Sequence, residues 1–339
     1  MAILITVIGF GIMIFLHELG HFVAAKRFGV LVHEFAIGMG PKLFSFGKGE
    51  TTYSLRLFPI GGFVRLEGEN DLEENDNPRS FSNLSPLKRI VVLVSGAFMN
   101  VLLGFIIFVI INLNMGITPP VVKDIPEEYA GIQENFQVGD EIVKLNNSRI
   151  NTFDDVSLFM SRFKGERLSA TIKRNGEIVK LRNFTPFKTE SGYKLGVMFQ
   201  SEKASFIKCA EDAVYDTVYI CKAVVFALVD LIKGDVGMNS LSGPVEIVST
   251  VDKVASLESS YTYLNILLLF AMITVNLGVF NLLPFPALDG GSILFALYEL
   301  ITRKKVKSEI IGYASAIGFA LLMILAIYVT AGDIIDLIK

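Results

Sequence analysis

The sequence predicts an α-helical polytopic membrane protein with four transmembrane helices, a membrane-associated β-hairpin and one inserted α+β domain. Three observations predict it. Of 339 residues, 52% are hydrophobic and only 19% charged, with a mean hydropathy of +0.52, whereas soluble domains carry about 25% charged residues. The apolar residues are gathered into four long runs rather than spread at the spacing of a globular core. Between the second and third runs the pattern changes to short strand-like segments separated by polar turns. A net charge of −3 gives no basis for nucleic-acid binding. Cys209 and Cys221 share one apolar stretch without metal-site spacing, so they are read as small buried side chains, not as a disulfide framework.

The first run, Ala2 to Ala25, is almost unbroken and ends at Lys26-Arg27. No basic residue precedes it and no small-residue cleavage site follows, so it is expected to be a retained span and not a signal peptide. The second run covers 90–111 behind Lys88-Arg89, the third Tyr261 to Leu283, and the fourth Ile310 to Thr330. Each approaches the ~20 residues needed to cross the hydrocarbon.

Basic residues orient the spans. Segment 26–89 holds Lys26, Arg27, Lys42, Lys48, Arg56, Arg65, Arg79, Lys88 and Arg89, and the connection between the last two spans holds Arg303, Lys304, Lys305 and Lys307. The positive-inside rule places both in the cytoplasm, with the N-terminus, residues 112–260 and the C-terminus outside. Residues 51–67 alternate like strands on either side of Pro59-Ile60-Gly61-Gly62, which predicts a hairpin turning there. Such a hairpin can dip into a protein-lined cavity at membrane depth. The acidic run Glu67 to Asp76 reads as a solvated loop.

In the outside segment, 117–200 carries strands, polar turns and one helical stretch, Thr152 to Phe163. Its VGDEIVKLNNSRI core, 138–150, resembles a bacterial PDZ domain, although YAGIQEN (Tyr129 to Asn135) replaces the usual small-residue turn. PDZ domains bind extended peptides at a sheet edge. Residues 204–233 then place Phe206, Ala210, Val214, Val218, Cys221, Val225, Leu228 and Ile232 at helical spacing, interrupted by Asp212, Asp216, Lys222 and Asp230. That pattern predicts an interfacial amphipathic helix. The expected division is therefore 1–116, 117–200, 201–258 and 259–339.

The chemistry sits inside the spans. His17-Glu18-Leu19-Gly20-His21 is an HExxH motif, which on a helix puts two imidazoles four residues apart on one face, as two ligands of one ion require. Glu18, next to the first ligand, is placed to take a proton from water. Ionisable groups in an apolar span are costly and default to function. His33, the remaining histidine, has no partner at ligand spacing. Zinc that keeps an open position needs a third protein ligand. Asp289 is the candidate, in Asn281-Leu-Leu-Pro-Phe-Pro-Ala-Leu-Asp289-Gly-Gly, where Pro284 and Pro286 break the helix and the glycines let the carboxylate turn inward. Spans one and three run in the same sense, so His17, His21 and Asp289 can meet at one depth.

The HELGH span, the NLLPFPALDGG span and the PDZ-like insert together resemble the site-2 protease family of intramembrane zinc metalloproteases. The resemblance covers nearly the whole chain and includes SGAFMN (Ser95 to Asn100), PIGGFVRL (Pro59 to Leu66) and LSGPVEI (Leu241 to Ile247). Ala97 stands where relatives often have proline. The resemblance implies one Zn2+ held by His17, His21 and Asp289, with Glu18 as general base. It implies that Asn276 and Asn281 handle the substrate helix, although both could instead join helices within the bundle; Asn281 or the exposed hairpin strand around Gly61, Gly62 and Phe63 is expected to hold the unwound segment. It also implies a multi-pass protein of the bacterial inner membrane that cuts single-span membrane proteins, such as anti-sigma factors or remnant signal peptides, in regulated intramembrane proteolysis. Two rivals compete with that expectation. A transporter would also use a broken helix but would carry internal repeats, and none is evident. A non-catalytic PDZ scaffold would leave the HExxH motif unexplained.

Overall fold

The structure, a computed structural model, describes residues 1–47, 49–69, 77–132, 135–189, 192–237, 243–257 and 259–338. It divides into two compact units, one formed by 1–104 with 226–339 and the other by 105–225. Among the described residues, four helices are long and apolar enough to cross a membrane: α1 (Ala2–Arg27), α2 (Pro86–Met115), α6 (Thr262–Asn281) and α8 (Ser308–Ile338). The first three coincide with their apolar runs to within about four residues, and α8 continues eight residues past the expected end at Thr330. Large apolar side chains face outward, including Ile3, Leu4 and Ile8 on α1 and Ile317, Phe319 and Ile324 on α8, which suits lipid as the surrounding solvent. Inside the first unit the helices approach through glycines. A Cβ on Gly20 would lie 2.3 Å from the Ser95 carbonyl oxygen, and one on Gly104 would lie 2.3 Å from Val275 Cγ2. Close small-residue contacts are how membrane helices gain packing without a hydrophobic driving force.

Between α1 and α2 lie β1 (Val32–Phe46) and β2 (Thr52–Leu66), an antiparallel pair with repeated register shifts. The expected hairpin about Pro59–Gly62 is therefore corrected: the pairing is between 32–46 and 52–66, and PIGG lies inside β2. Phe35, Ala36 and Ile37 face Val64, Phe63 and Gly62 on one side and Tyr53, Ser54 and Leu55 on the other. The two halves of β2 thus flank β1 instead of pairing with each other. Gly38, Gly40 and Gly61 all have positive φ, and those left-handed positions let both strands bend sharply. Buried Glu34 ties the pair together, accepting hydrogen bonds from Ser54 Oγ at 2.6 Å and Arg56 Nη2 at 2.8 Å. Of the acidic run Glu67 to Asp76, residues 70–76 lie outside the described residues.

Two further helices belong to the first unit. α5 (Pro244–Ala255) starts on a proline, and Asp333 accepts from the Gly243 and Glu246 amides at 3.2 and 3.0 Å, a carboxylate placed at a helix N-terminus. The LSGPVEI motif thus forms the start of α5, with Leu241 and Ser242 outside the described residues. α7 (Asp289–Thr302) occupies a stretch expected to be a connecting loop. It ends at Arg303, in the left-handed conformation, just before the basic residues.

In the second unit, four antiparallel strands run in the order β4-β3-β5-β6: β3 (Glu141–Leu145), β4 (Ser148–Arg149), β5 (Leu168–Arg174) and β6 (Glu177–Phe184). β7 (Phe187–Thr189) and β8 (Gly192–Lys194) pair separately. α3 (Phe153–Ser161) is capped by Thr152, whose side chain accepts from the Asp155 amide. Phe136, Ile142, Leu145, Leu168 and Ile172 form the fully buried core. The Tyr129 to Asn135 stretch begins in a short 3-10 turn, Glu127–Ile132, and its residues 133–134 lie outside the described residues. α4 (Phe206–Lys233) is one helix, as expected. Its Asp212 and Asp216, expected as polar interruptions, are buried, and Asp216 accepts from Asn112 Nδ2 at 2.9 Å. Both cysteines are free, and Cys209 is fully buried.

Candidate metal centre

α1 is regular through 17–21, so His17 and His21 lie one turn apart with their rings edge to face, centroids 4.7 Å and Nε2 atoms 3.1 Å from each other. Asp289 arrives from the far end of the chain as the first residue of α7. The path that brings it there is set locally. α6 ends at Asn281, Pro284 and Pro286 have no amide hydrogen to continue it, and Ala287 takes a φ of +79°. The first turn of α7 then folds tightly back on this segment. A Cβ on Gly290 would lie 2.1 Å from the Leu283 carbonyl oxygen, and one on Gly291 would lie 2.4 Å from that of Phe285. Only glycine fits either position.

Asp289 Oδ2 ends 3.3 Å from Nε2 of both histidines, and the three groups offer ligand atoms all within 4.8 Å of one another. That oxygen is buried and makes no hydrogen bond. Two imidazoles and a carboxylate converging on one point, with the carboxylate oxygen otherwise unsatisfied, fit a divalent cation, and nitrogen with oxygen donors suit zinc.

The outer side of the pair is supplied by α2. His21 Nδ1 donates to the Val92 carbonyl oxygen at 2.8 Å, which leaves its Nε2 lone pair facing Asp289. One turn on, Gly96 sits against both rings: a Cβ there would lie 2.4 Å from His21 Nε2 and 2.8 Å from His17 Cε1. A further turn on, fully buried Asn100 places its amide nitrogen 3.4 Å from His17 Nδ1. In the sequence, Ser95 to Asn100 stands out only as part of a resemblance. The signal that could have found these residues is the spacing of Val92, Gly96 and Asn100, one face of a helix running through an apolar span.

Glu18 faces β2. A Cβ on Gly62 would lie 3.2 Å from Glu18 Cγ and 3.0 Å from the Ala36 carbonyl oxygen, so glycine lets the strand lie directly on this carboxylate. Gly61, with φ +90°, would clash with Met39 if it carried a Cβ, and the Phe63 ring is covered by Arg56 at 4.8 Å. The strand segment around Gly61, Gly62 and Phe63 is thereby brought beside the HExxH helix. Asn276 and Asn281 both lie on α6, Asn281 as its last residue. Among the described residues no hydrogen bond joins either to the histidine–aspartate cluster, and Asn276 Oδ1 is buried without a partner. His33 pairs with Glu67, away from the cluster's ligand set.

Comparison with known proteins gives a consistent picture. A family model described as Peptidase family M50 matches residues 5–325. A provisionally named zinc metalloprotease of Clostridium acetobutylicum is 39% identical over 335 residues, covering 98% of this chain and 97% of that protein. One of Clostridium perfringens is 37% identical over 342 residues, covering 99% of each. The zinc metalloprotease RasP of Geobacillus kaustophilus is 31% identical, covering 98% of this chain and 97% of its own length.

Proposed function

This chain belongs to peptidase family M50, and from that premise we propose that it is an intramembrane zinc metalloendopeptidase, with His17, His21 and Asp289 as the zinc ligands and Glu18 as general base. One observation carries the assignment: three donors from opposite ends of the chain converge within 4.8 Å, two of them on a membrane-compatible helix, around a buried carboxylate oxygen that has no hydrogen bond. Zinc, when bound, polarises the scissile carbonyl and lets water ionise near neutrality.

The chain's own residues do the rest. Glu18, one residue from His17, accepts a proton from the attacking water and returns it to the leaving amine. The Val92 carbonyl holds the His21 ring in place. A substrate helix hides its carbonyls in i to i−4 bonds and has to unwind before attack. The β2 segment at Gly61, Gly62 and Phe63 is suited to hold the opened stretch as an added strand. Among the described residues Gly62 and Phe63 pair with β1 on one side only, and Gly62 lies against Glu18. Asn276 and Asn281 are the proposed side-chain partners of that stretch.

The proposed substrates are single-span membrane proteins, anti-sigma factors or remnant signal peptides, cut during regulated intramembrane proteolysis in the bacterial inner membrane. The PDZ-like segment, 117–200, is proposed to lie outside the cytoplasm and to restrict access, since apolar pockets discriminate only by ~1–3 kcal/mol per methylene. Metal analysis of purified protein, with co-expression of a membrane substrate, tests the core of the proposal. One zinc per chain, lost in His21→Ala, is the expected result; unchanged metal in both His21→Ala and Asp289→Ala refutes the ligand set. Single cysteines near 75 and 304 should resist an impermeant thiol reagent in intact cells, and one near 175 should react. The reverse pattern overturns the orientation.

A further inference from the structure

We propose that Asn100 is a positioning residue of the metal site: its side-chain carbonyl accepts the Nδ1–H of His17 and thereby turns the His17 Nε2 lone pair toward the ion. The inference rests on the ligand assignment above and adds to it an acceptor for His17 Nδ1.

The argument starts from the ring. A histidine that binds a metal through Nε2 carries its proton on Nδ1, and that proton needs an acceptor when it is buried. For His21 the acceptor is the Val92 carbonyl, at 2.8 Å. For His17 the atom facing Nδ1 is the end of the Asn100 carboxamide, with the amide nitrogen at 3.4 Å. The two ends of a carboxamide have the same shape, so hydrogen bonding decides which one faces the ring. With the nitrogen toward Nδ1, the Asn100 oxygen is buried and has no partner. That arrangement would also require Nδ1 to be the acceptor, which puts the proton on Nε2. An N–H would then point at His21 Nε2, 3.1 Å away, where a ligand lone pair is needed. Turning the carboxamide over removes both faults at once: the orphaned oxygen gains a donor, and His17 takes the tautomer that His21 already has.

The placement is specific to this face of α2. Val92, Gly96 and Asn100 are successive turns of one helix. Gly96 admits both rings, and the two acceptors stand on either side of it, one for each histidine. Asn100 is itself held: it is fully buried, its backbone carbonyl accepts from Thr274 Oγ1 at 3.1 Å, and Gly278 leaves room for its Cβ. An acceptor locked in this way can fix the ring it faces.

The test is the zinc affinity of the full-length protein in detergent, measured by competition with a chelator. Asn100→Leu keeps the bulk and removes the acceptor, and should weaken zinc binding by about 10–100-fold. Asn100→Asp can only accept, and should stay within a few-fold of the unmodified protein. His17→Ala, measured alongside, should lose zinc outright. If His17→Ala binds zinc normally, the ligand assignment has failed. If His17→Ala fails while Asn100→Leu binds as the unmodified protein does, or if Asp and Leu weaken binding equally, only the role of Asn100 has failed. A second measurement needs no substitution. The chain has three histidines, so selective 15N labelling gives a spectrum of three rings. In the zinc-loaded protein both His17 and His21 should show Nδ1–H protons that exchange slowly with water; a fast-exchanging His17 proton overturns the proposal.

Discussion

In residues 105–225 a buried acid is surrounded by donors, whereas in the unit formed by 1–104 and 226–339 the acid at the metal centre is not. Asp140 accepts from the Gln137 amide and from Nε and Nη2 of Arg174, each at 2.8 Å. Asp155 accepts from the Asn151 amide at 3.0 Å and from Lys222 at 3.2 Å. Asp289 has two imidazole nitrogens at 3.3 Å and no hydrogen bond to the oxygen that faces them. Among the described residues, the buried side-chain atoms left without a partner are Arg56 Nε, Arg89 Nε, Asn100 Oδ1, Asn276 Oδ1 and Asp289 Oδ2, all in the first unit. The two arginines still have carboxylate partners in Glu34 and Glu299. The aspartate oxygen has only the two imidazoles, at 3.3 Å and without a hydrogen bond. Satisfied burial marks a group that holds the fold, and unsatisfied burial marks one that waits for a ligand.

The contrast can be broken at its strongest point first. Glu18→Gln should lower cleavage of a membrane substrate by about 10²–10⁴-fold, the range of general-base catalysis, with zinc content unchanged. Ordinary turnover in that variant would end the general-base role. Asp289→Ala should weaken zinc strongly yet leave the metal-free protein about as stable as before, because the buried oxygen it removes makes no hydrogen bond. Asp140→Ala should do the opposite. It leaves the partly exposed Arg174 guanidinium with only the Asn135 carbonyl and should cost about 1–3 kcal/mol in the unfolding of 105–225, with zinc affinity intact. Denaturant unfolding and metal titration of both variants decide the matter. Equal destabilisation of the metal-free proteins would erase the distinction between the units.

How far the sequence reached depended on how local each signal was. The spans were legible because composition alone defines them. His17 and His21 were legible because four residues on a helix fix their relation. Asp289 was picked out because prolines and glycines announce a broken helix, and the structure does bring it to the histidines. The pairing of β1 with β2 was not legible. It joins residues up to 34 apart, such as Val32 with Leu66, and although β2 showed its alternation, Gly38, Gly40 and Pro41 interrupt that of β1. α7 was missed because helix-breaking residues crowd its start, and a glycine pair there reads as an end. Val92 and Gly96 were missed because a backbone carbonyl and a close glycine contact leave no trace in residue type, whereas Asn100, a polar residue in an apolar span, stood out only within a resemblance.

The smallest effect tests the satisfied side of the comparison, at the one place where its acids are crowded. Burial pushes Asp216 up to about 7 against the lowering effect of the Asn112 hydrogen bond, with Asp212, Asp154 and Asp155 raising it further. Burial pushes Asp212 up to about 6, opposed by Lys208 and assisted by Asp154 and Glu211. Lys222 does not relieve Asp216 directly, since it pairs with Asp155. Both native values lie above the ~3.9 of an unfolded aspartate, so folding favours the protonated forms. The stabilisation they give is complete below pH ~4 and is lost as pH rises through 6 to 7. The unit 105–225 should therefore resist unfolding better at pH 5 than at pH 8. Asp216→Asn keeps a partner for Asn112 and removes the charge. It should slow amide exchange along α4 at pH 8, by about 1–2 kcal/mol of local stability, and change little at pH 5. If the substituted protein keeps the same pH dependence as the unmodified one, Asp216 is not the group that titrates, and the crowded acids belong with the satisfied ones after all.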